Sequence, residues 1–132
     1  MNKILLIDDN AKMRLFLDNY FGQDFETVVV ERPSQAIELY DKGFIPDIIV
    51  ADYYAKDQKE AISLNTLTRQ PNWNLVPLFI LTDDDKSDQR IQAMNYGASD
   101  TMSKPFNPKE LKMRLNNLVT TAERVKSVRR AA

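Results

Sequence analysis

Short apolar runs alternate along this chain with segments whose apolar residues recur every three or four positions. The runs lie at residues 3–7, 27–30, 47–51, 77–81 and about 100–103. Between them, Met13, Phe16, Leu17 and Tyr20 repeat at helical spacing, as do Ala36 with Tyr40, Leu64 with Leu67, and Ile91 with Met94. This alternation predicts an α/β fold of five strands and five helices, a parallel sheet with crossover helices. Strands one, three and four are nearly all apolar, which predicts burial on both faces, and Val28 to Val30 read the same way. The rhythm of roughly 25 residues is that of the βα unit itself.

The last segment has its own signature. Asn107 is the expected N-cap, Pro108 opens the first turn and Glu110 follows it. Apolar positions then run Leu111, Leu115, Leu118, Ala122 and Val125, and the helix should continue to about Arg130, longer than covering a sheet requires. Its basic end, Arg124, Lys126, Arg129 and Arg130, suits a solvated helix terminus. The spacing equally suits a short coiled-coil seam, which would make residues 121–132 a linker or dimerisation helix.

Composition narrows the chemistry. At 132 residues the chain is expected to form one domain with a real core. Eighteen basic and nineteen acidic residues nearly cancel, so no global field draws it to nucleic acid or an anionic membrane, and direct binding to either is not expected. The chain contains no cysteine and no histidine, which excludes thiolate and imidazole metal sites and every triad built on histidine. No stretch approaches the roughly eighteen apolar residues of a membrane span, and the reading is a cytoplasmic protein.

In an open α/β sheet, ligands bind beyond the carboxyl ends of the strands. Those ends carry Asp8 and Asp9, then Asp52, then Thr82, then Lys104 before Pro105. Desolvating even one unpaired carboxylate costs several kcal/mol, so acids at buried strand ends call for a cation. Without histidine or cysteine the cluster favours a hard cation such as Mg²⁺, and a carboxylate can also serve as a nucleophile toward phosphorus. Plainer uses exist for each residue: Asp8 and Asp9 as caps of the first helix, Asp52 as a solvated strand end, Thr82 as packing, and Lys104 as a surface lysine.

Five motifs together resemble a known family. Leu5-Leu6-Ile7-Asp8-Asp9, Asp47 to Asp52, Leu81-Thr82, Gly97-Ala98-Ser99-Asp100 and Lys104-Pro105-Phe106 look like the receiver domain of two-component response regulators. The resemblance covers residues 1–120 and implies the doubly wound, flavodoxin-like strand order 2-1-3-4-5. It implies that Asp52 accepts a phosphoryl group from a phosphohistidine on a sensor histidine kinase or histidine phosphotransfer protein. Asp9 and Asp52 would hold Mg²⁺ directly and Asp8 through water, with the backbone carbonyl of Tyr54 completing the protein's share. Thr82 and Lys104 would each engage a phosphoryl oxygen, and a cis peptide is implied before Pro105. Such a domain is a regulatory phosphoacceptor, not a metabolic enzyme, although it catalyses its own phosphorylation and dephosphorylation. Its output would be partner binding or homodimerisation through helix four, strand five and helix five.

The chain also departs from that pattern. Lys56 and Glu60 stand where a proline and a glycine are usual, so the loop after Asp52 is expected to take its own path. In that family the position of Tyr54 influences how fast water reaches the aspartyl phosphate, while the plainer expectation is that Tyr53 and Tyr54 pack or lie on the loop surface. Asp83-Asp84-Asp85 follows Thr82, either beside the entry path or as caps of a helix beginning near Lys86. Thr101 replaces the switch aromatic of strand five, leaving Tyr96 or Met102 as candidates for its part. The main rival reading is a phosphorylation-independent pseudo-receiver, an interaction module of the same fold. An aspartyl phosphohydrolase would need an acid where Tyr54 stands, and three acids would repel the phosphate of a bound flavin. The chain would be a stand-alone receiver or the N-terminal part of a longer protein.

Overall fold

A computed structural model describes residues 1–54, 57–83 and 87–131. Lys56, Asp84, Asp85 and the helix start near Lys86 lie outside the described residues. The elements alternate as predicted: β1 (Lys3–Ile7), α1 (Ala11–Phe21), β2 (Glu26–Val30), α2 (Pro33–Asp41), β3 (Ile48–Asp52), α3 (Gln58–Thr68), β4 (Leu78–Thr82), α4 (Ser87–Asn95), β5 (Asp100–Ser103) and α5 (Pro108–Ala131). All pairings are parallel, in the order β2-β1-β3-β4-β5. This is the doubly wound, flavodoxin-like arrangement.

Strand periodicity divides the core in two. Leu5, Ile7, Ile49, Ala51, Leu78 and Ile80 face one side, where Ala36, Leu64, Leu67 and Ala93 cover them from α2, α3 and α4. The alternate residues Ile4, Leu6, Ile48, Val50, Phe79 and Leu81 face the other, against Leu17 and Phe21 of α1 and Leu111, Leu115 and Val119 of α5. Both faces of β1, β3 and β4 are therefore buried, which is why these strands read as unbroken apolar runs. Val28 to Val30 are only half-buried, because β2 is an edge strand.

Helix α5 also differs from its sequence pattern. Leu111, Leu115 and Val119 are buried, whereas Val125 is 43% exposed. On a straight helix of 3.6 residues per turn each step of four drifts by about 40°, so the buried stripe Leu111, Leu115 and Val119 slants across α5 instead of following the alternating path through Leu118, Ala122 and Val125. As predicted, the Asn107 side chain accepts hydrogen bonds from the backbone N–H groups of Lys109 (2.9 Å) and Glu110 (3.3 Å).

Helices α2 and α4 end alike. Gly43 and Gly97 have φ of 86° and 93°, where a side chain would be strained. In each case the next residue turns back: Phe44 N–H donates to the Leu39 carbonyl at 3.0 Å, and Ala98 N–H donates to the Ala93 carbonyl at 3.1 Å. Phe44 thereby reaches Trp73, a fully buried ring whose indole N–H donates to the Phe44 carbonyl at 2.8 Å. Trp73 sits in the turn between α3 and β4, where no helical or strand period marks it as core. The Lys104–Pro105 peptide is cis.

Removing the Trp73 ring empties the largest fully buried side-chain volume and orphans the Phe44 carbonyl. Trp73→Ala is expected to lower the unfolding free energy by about 3–5 kcal/mol, read from urea denaturation. A loss below about 1 kcal/mol would contradict this packing role.

Candidate functional site

Four strand ends deliver the site. Ile7 of β1 is in register with Ala51 of β3, so the residues that follow them, Asp8 and Asp52, emerge side by side. Asp52 is itself in register with Leu81 of β4, and Thr82 is the next residue along that strand. Beyond β5, Lys104 N–H donates to the Thr82 carbonyl at 2.8 Å, which prolongs the ladder and seats the lysine beside the two acids.

The lysine ammonium lies 3.0 Å from a carboxylate oxygen of Asp52 and 3.3 Å from one of Asp8. Asp8 is only 1% exposed, and its other oxygen accepts the Asn10 N–H at 2.9 Å. Asn10, rather than Asp8 or Asp9, caps α1, its side chain accepting from Met13 N–H at 3.0 Å. The capping alternative for the acid pair is therefore set aside. Asp52 also accepts the N–H of Tyr53 at 3.0 Å.

Burial raises the pKa of Asp52, and the negative charge of Asp8 adds to the shift, while Lys104 and the Tyr53 N–H oppose it incompletely. For Lys104, burial disfavours the ammonium, but its hydrogen bond to Asp52 and the charges of Asp52 and Asp8 outweigh that cost and raise its pKa. A full positive charge is thus held against an Asp52 carboxylate that burial makes more basic.

Asp9 is exposed and completes an acidic triad: one carboxylate oxygen from each of Asp8, Asp9 and Asp52 lies within 4.8 Å of the others. The donor set, oxygen only, fits a hard divalent cation. Ligands of one Mg²⁺ lie about 3 Å apart when adjacent and about 4.2 Å when opposite, so small side-chain rotations would gather this cluster around an ion. The Tyr54 carbonyl accepts the Asp57 N–H at 3.2 Å, which leaves it a second lone pair.

A cleft of about 300 Å³ opens over Asp52, lined by Asp9, Asp57 and Asp83, by Tyr53 and Tyr54, and by Gln89. Asp83 is exposed at its rim, with its N–H donating to the Gln89 side chain at 2.8 Å. The Tyr54 hydroxyl donates to the Glu31 carbonyl at 3.2 Å and that of Tyr53 to the Gln92 side chain, while both rings pack on the core. Burial, followed by the charges of Asp52, Asp8 and Asp9, raises the Tyr54 pKa and keeps it a phenol. Tyr96, at the end of α4, joins Tyr53, Tyr54 and Ile80 around a small cavity behind Asp52, whereas Thr101 is half-buried on β5.

Two residues of this neighbourhood escaped the sequence reading. Asp57 caps α3 by accepting the Glu60 N–H at 3.2 Å, and the D-x-x-E spacing of Asp57 and Glu60 is a signal that marks such a cap. Gln89 carries no comparable signal.

Known proteins resemble the chain across nearly its whole length. The model of the response regulator receiver domain matches residues 4–116. The chain is 28% identical over 120 residues to the transcriptional regulatory protein CpxR of Escherichia coli, covering 90% of this chain and 50% of that protein. It is 23% identical over 124 residues to histidine kinase P4 of Formosa agariphila, covering 94% of this chain and 9% of that protein. It therefore spans half or less of the length of these curated relatives. The receiver domain of the Francisella response regulator 1452 superposes with a TM-score of 0.77 at 29% identity, covering 92% of this chain and 98% of that one. The receiver domain of the sensor histidine kinase PA1611 from Pseudomonas aeruginosa, described with a magnesium ion coordinated in its active site cleft, superposes with a TM-score of 0.78 at 22% identity over 90% and 98% of the two chains.

The raised Asp52 pKa has a signed consequence for stability. Its contribution is most favourable below the ordinary carboxylate value of 3.8 and is lost as pH rises through the higher folded-state value. In metal-free buffer at pH 7, Asp52→Asn is expected to raise the melting temperature, because it removes a charge that burial disfavours. The gain should vanish near pH 4, and differential scanning calorimetry of the two proteins at both pH values would check it.

Proposed function

The chain belongs to the response regulator receiver domain family of two-component signalling, and from that premise we propose that it accepts a phosphoryl group on Asp52 with Mg²⁺. One observation carries the reading: the Lys104 ammonium is within 3.0 Å of Asp52 and 3.3 Å of Asp8 beside a third carboxylate, Asp9. This is a phosphoacceptor site with its counter-charge in place. The domain acts as a regulatory phosphoacceptor, not as a classical enzyme.

The phosphoryl donor is a phosphohistidine on a sensor histidine kinase or a histidine phosphotransfer protein. An Asp52 carboxylate oxygen attacks phosphorus as the phosphorus–nitrogen bond breaks, and the electron pair returns to the partner's imidazole. Asp9 and Asp52 would hold the metal directly and Asp8 through water, with Tyr54 offering its carbonyl. Bound there, Mg²⁺ supplies positive charge to the transferring oxygens. Lys104 exchanges Asp52 for a phosphoryl oxygen, and the Thr82 hydroxyl donates to another, so the protein's share is positioning and electrostatics.

Hydrolysis of the aspartyl phosphate by the same site resets the domain, and Tyr54, across the mouth of the cleft, restricts the approach of water. Phosphorylation changes the α4-β5-α5 face, through which the domain binds a partner or a second copy. With the ring of β5 replaced by Thr101, Tyr96 is the aromatic placed to register the event. Cytoplasmic location fits such a partner, and among the described residues no helix is long and apolar enough to cross a membrane. No specific observation favours a phosphorylation-independent module, since the five pocket residues stand together.

Beryllofluoride, a mimic of the aspartyl phosphate, tests the reading. With Mg²⁺ it should shift the amide NMR signals around Asp52 and Lys104 in wild type but not in Asp52→Asn, and an unshifted wild-type spectrum would sink it. Asp83, at the rim of the cleft, opposes an incoming anion. Asp83→Ala is therefore expected to speed phosphorylation by acetyl phosphate severalfold at low salt, followed by mass spectrometry, and a rate no faster than wild type counts against the blocking role.

A further inference from the structure

Glu60 is a buried acid that the chemistry above does not use. It is 5% exposed, in the first turn of α3. Both carboxylate oxygens are taken by one residue of α2: Ser34 N–H donates to one at 3.0 Å, and the Ser34 hydroxyl donates to the other at 2.6 Å. Ser34 lies in the first turn of α2, where N–H groups have no partner within their own helix. A carboxylate is favoured at such a terminus, so the contact is a charge-assisted clasp between two helices.

The clasp continues toward the phosphoacceptor through a chain of hydrogen bonds. Glu60 N–H donates to the Asp57 side chain at 3.2 Å, and Asp57 N–H donates to the Tyr54 carbonyl at 3.2 Å. The far end is tied as well, by the Tyr54 hydroxyl on the Glu31 carbonyl at 3.2 Å. Glu31 is itself held, its N–H donating to the Gln35 side chain at 2.7 Å. Tyr54 and Glu60 are thus each tied to the region where α2 begins. Its most consequential atom is the Tyr54 carbonyl oxygen.

Resting on the Mg²⁺ site proposed above, we infer that Glu60 is a positioning residue for that site. By clasping Ser34, it fixes the first turn of α3 and, through Asp57, the direction in which the Tyr54 carbonyl points. A ligand oriented in advance does not have to be ordered by the ion, and loss of an outer partner of a metal ligand typically lowers affinity by about 10–100-fold. Here the partner acts through one intermediate residue, so the low end of that range applies.

The test compares wild type with Glu60→Gln, Ser34→Ala, the double variant and Val119→Ala, a core change on the opposite face of the sheet. Isothermal titration with Mg²⁺ alone should give about tenfold weaker binding for Glu60→Gln and a smaller loss for Ser34→Ala. The double variant should lose no more than Glu60→Gln, because both changes open the same clasp. Exchange of the Asp57 amide in the metal-free protein should quicken in Glu60→Gln. Val119→Ala should lower the melting temperature and leave Mg²⁺ affinity unchanged.

If wild type binds Mg²⁺ and folded Glu60→Gln binds it equally well, the inference is overturned while the metal site stands. An equal loss in Val119→Ala overturns it too, since the effect would then be general destabilisation. Should Glu60→Gln fail to melt cooperatively, Ser34→Ala decides, and unchanged affinity there overturns the inference. No binding by wild type overturns the metal site and the inference together.

Discussion

One ammonium shared between two carboxylates sets the terms for the rest of the structure. Asp8 and Asp52 are held side by side where little water reaches them, and burial makes Asp52 costly to ionise there. Lys104 offsets that cost from just beyond β5, three places along the sheet from β1. The arrangement leaves Asp52 more basic than an ordinary carboxylate and Lys104 more firmly charged than an ordinary lysine. A carboxylate of raised basicity next to a fixed cation is suited to meet an anionic group that needs both a nucleophile and a counter-charge.

The sheet performs the placement. Insertion of β1 between β2 and β3 reverses the strand order there, and the helices after β1 and β3 leave on opposite faces, opening a crevice over the strand ends. The parallel registers then bring strand ends together that are far apart in sequence. A one-residue slip of β3 against β1 would turn Asp52 toward the other face and exchange the residues that β3 sends into the two cores. The alternation that fills the two cores is therefore also what aims the acid.

Much of this was legible in the amino-acid sequence, for identifiable reasons. Runs such as Ile4 to Ile7 and Leu78 to Leu81 are buried on both faces, so they announce strands without ambiguity, and the polar residues closing them mark the site. Features set by packing between distant segments were not legible. Trp73 belongs to a turn and is buried in a core that includes the distant Tyr40 and Phe44, and Val119 replaces Leu118 because the sheet selects one stripe of α5. The partnership of Glu60 with Ser34 joins residues 26 positions apart and follows from the way α2 and α3 lie against each other. Asn10 takes the capping role open to its two acidic neighbours, because Asp8 turns inward to Lys104.

Helix α5 has 24 residues, yet its fully buried side chains end at Val119. The remaining stretch to Ala131 projects about 18 Å past that anchor at 1.5 Å per residue. A continuous helix bends little, so the projecting part works as a lever whose fulcrum is the packed stripe Leu111–Leu115–Val119. A rotation of about 5° at the fulcrum carries the far end sideways by about 1.6 Å, while the contacts at the sheet shift by far less. Small changes in how α5 rests on β3 and β4 would thus be delivered, magnified, at the basic tip around Arg129 and Arg130.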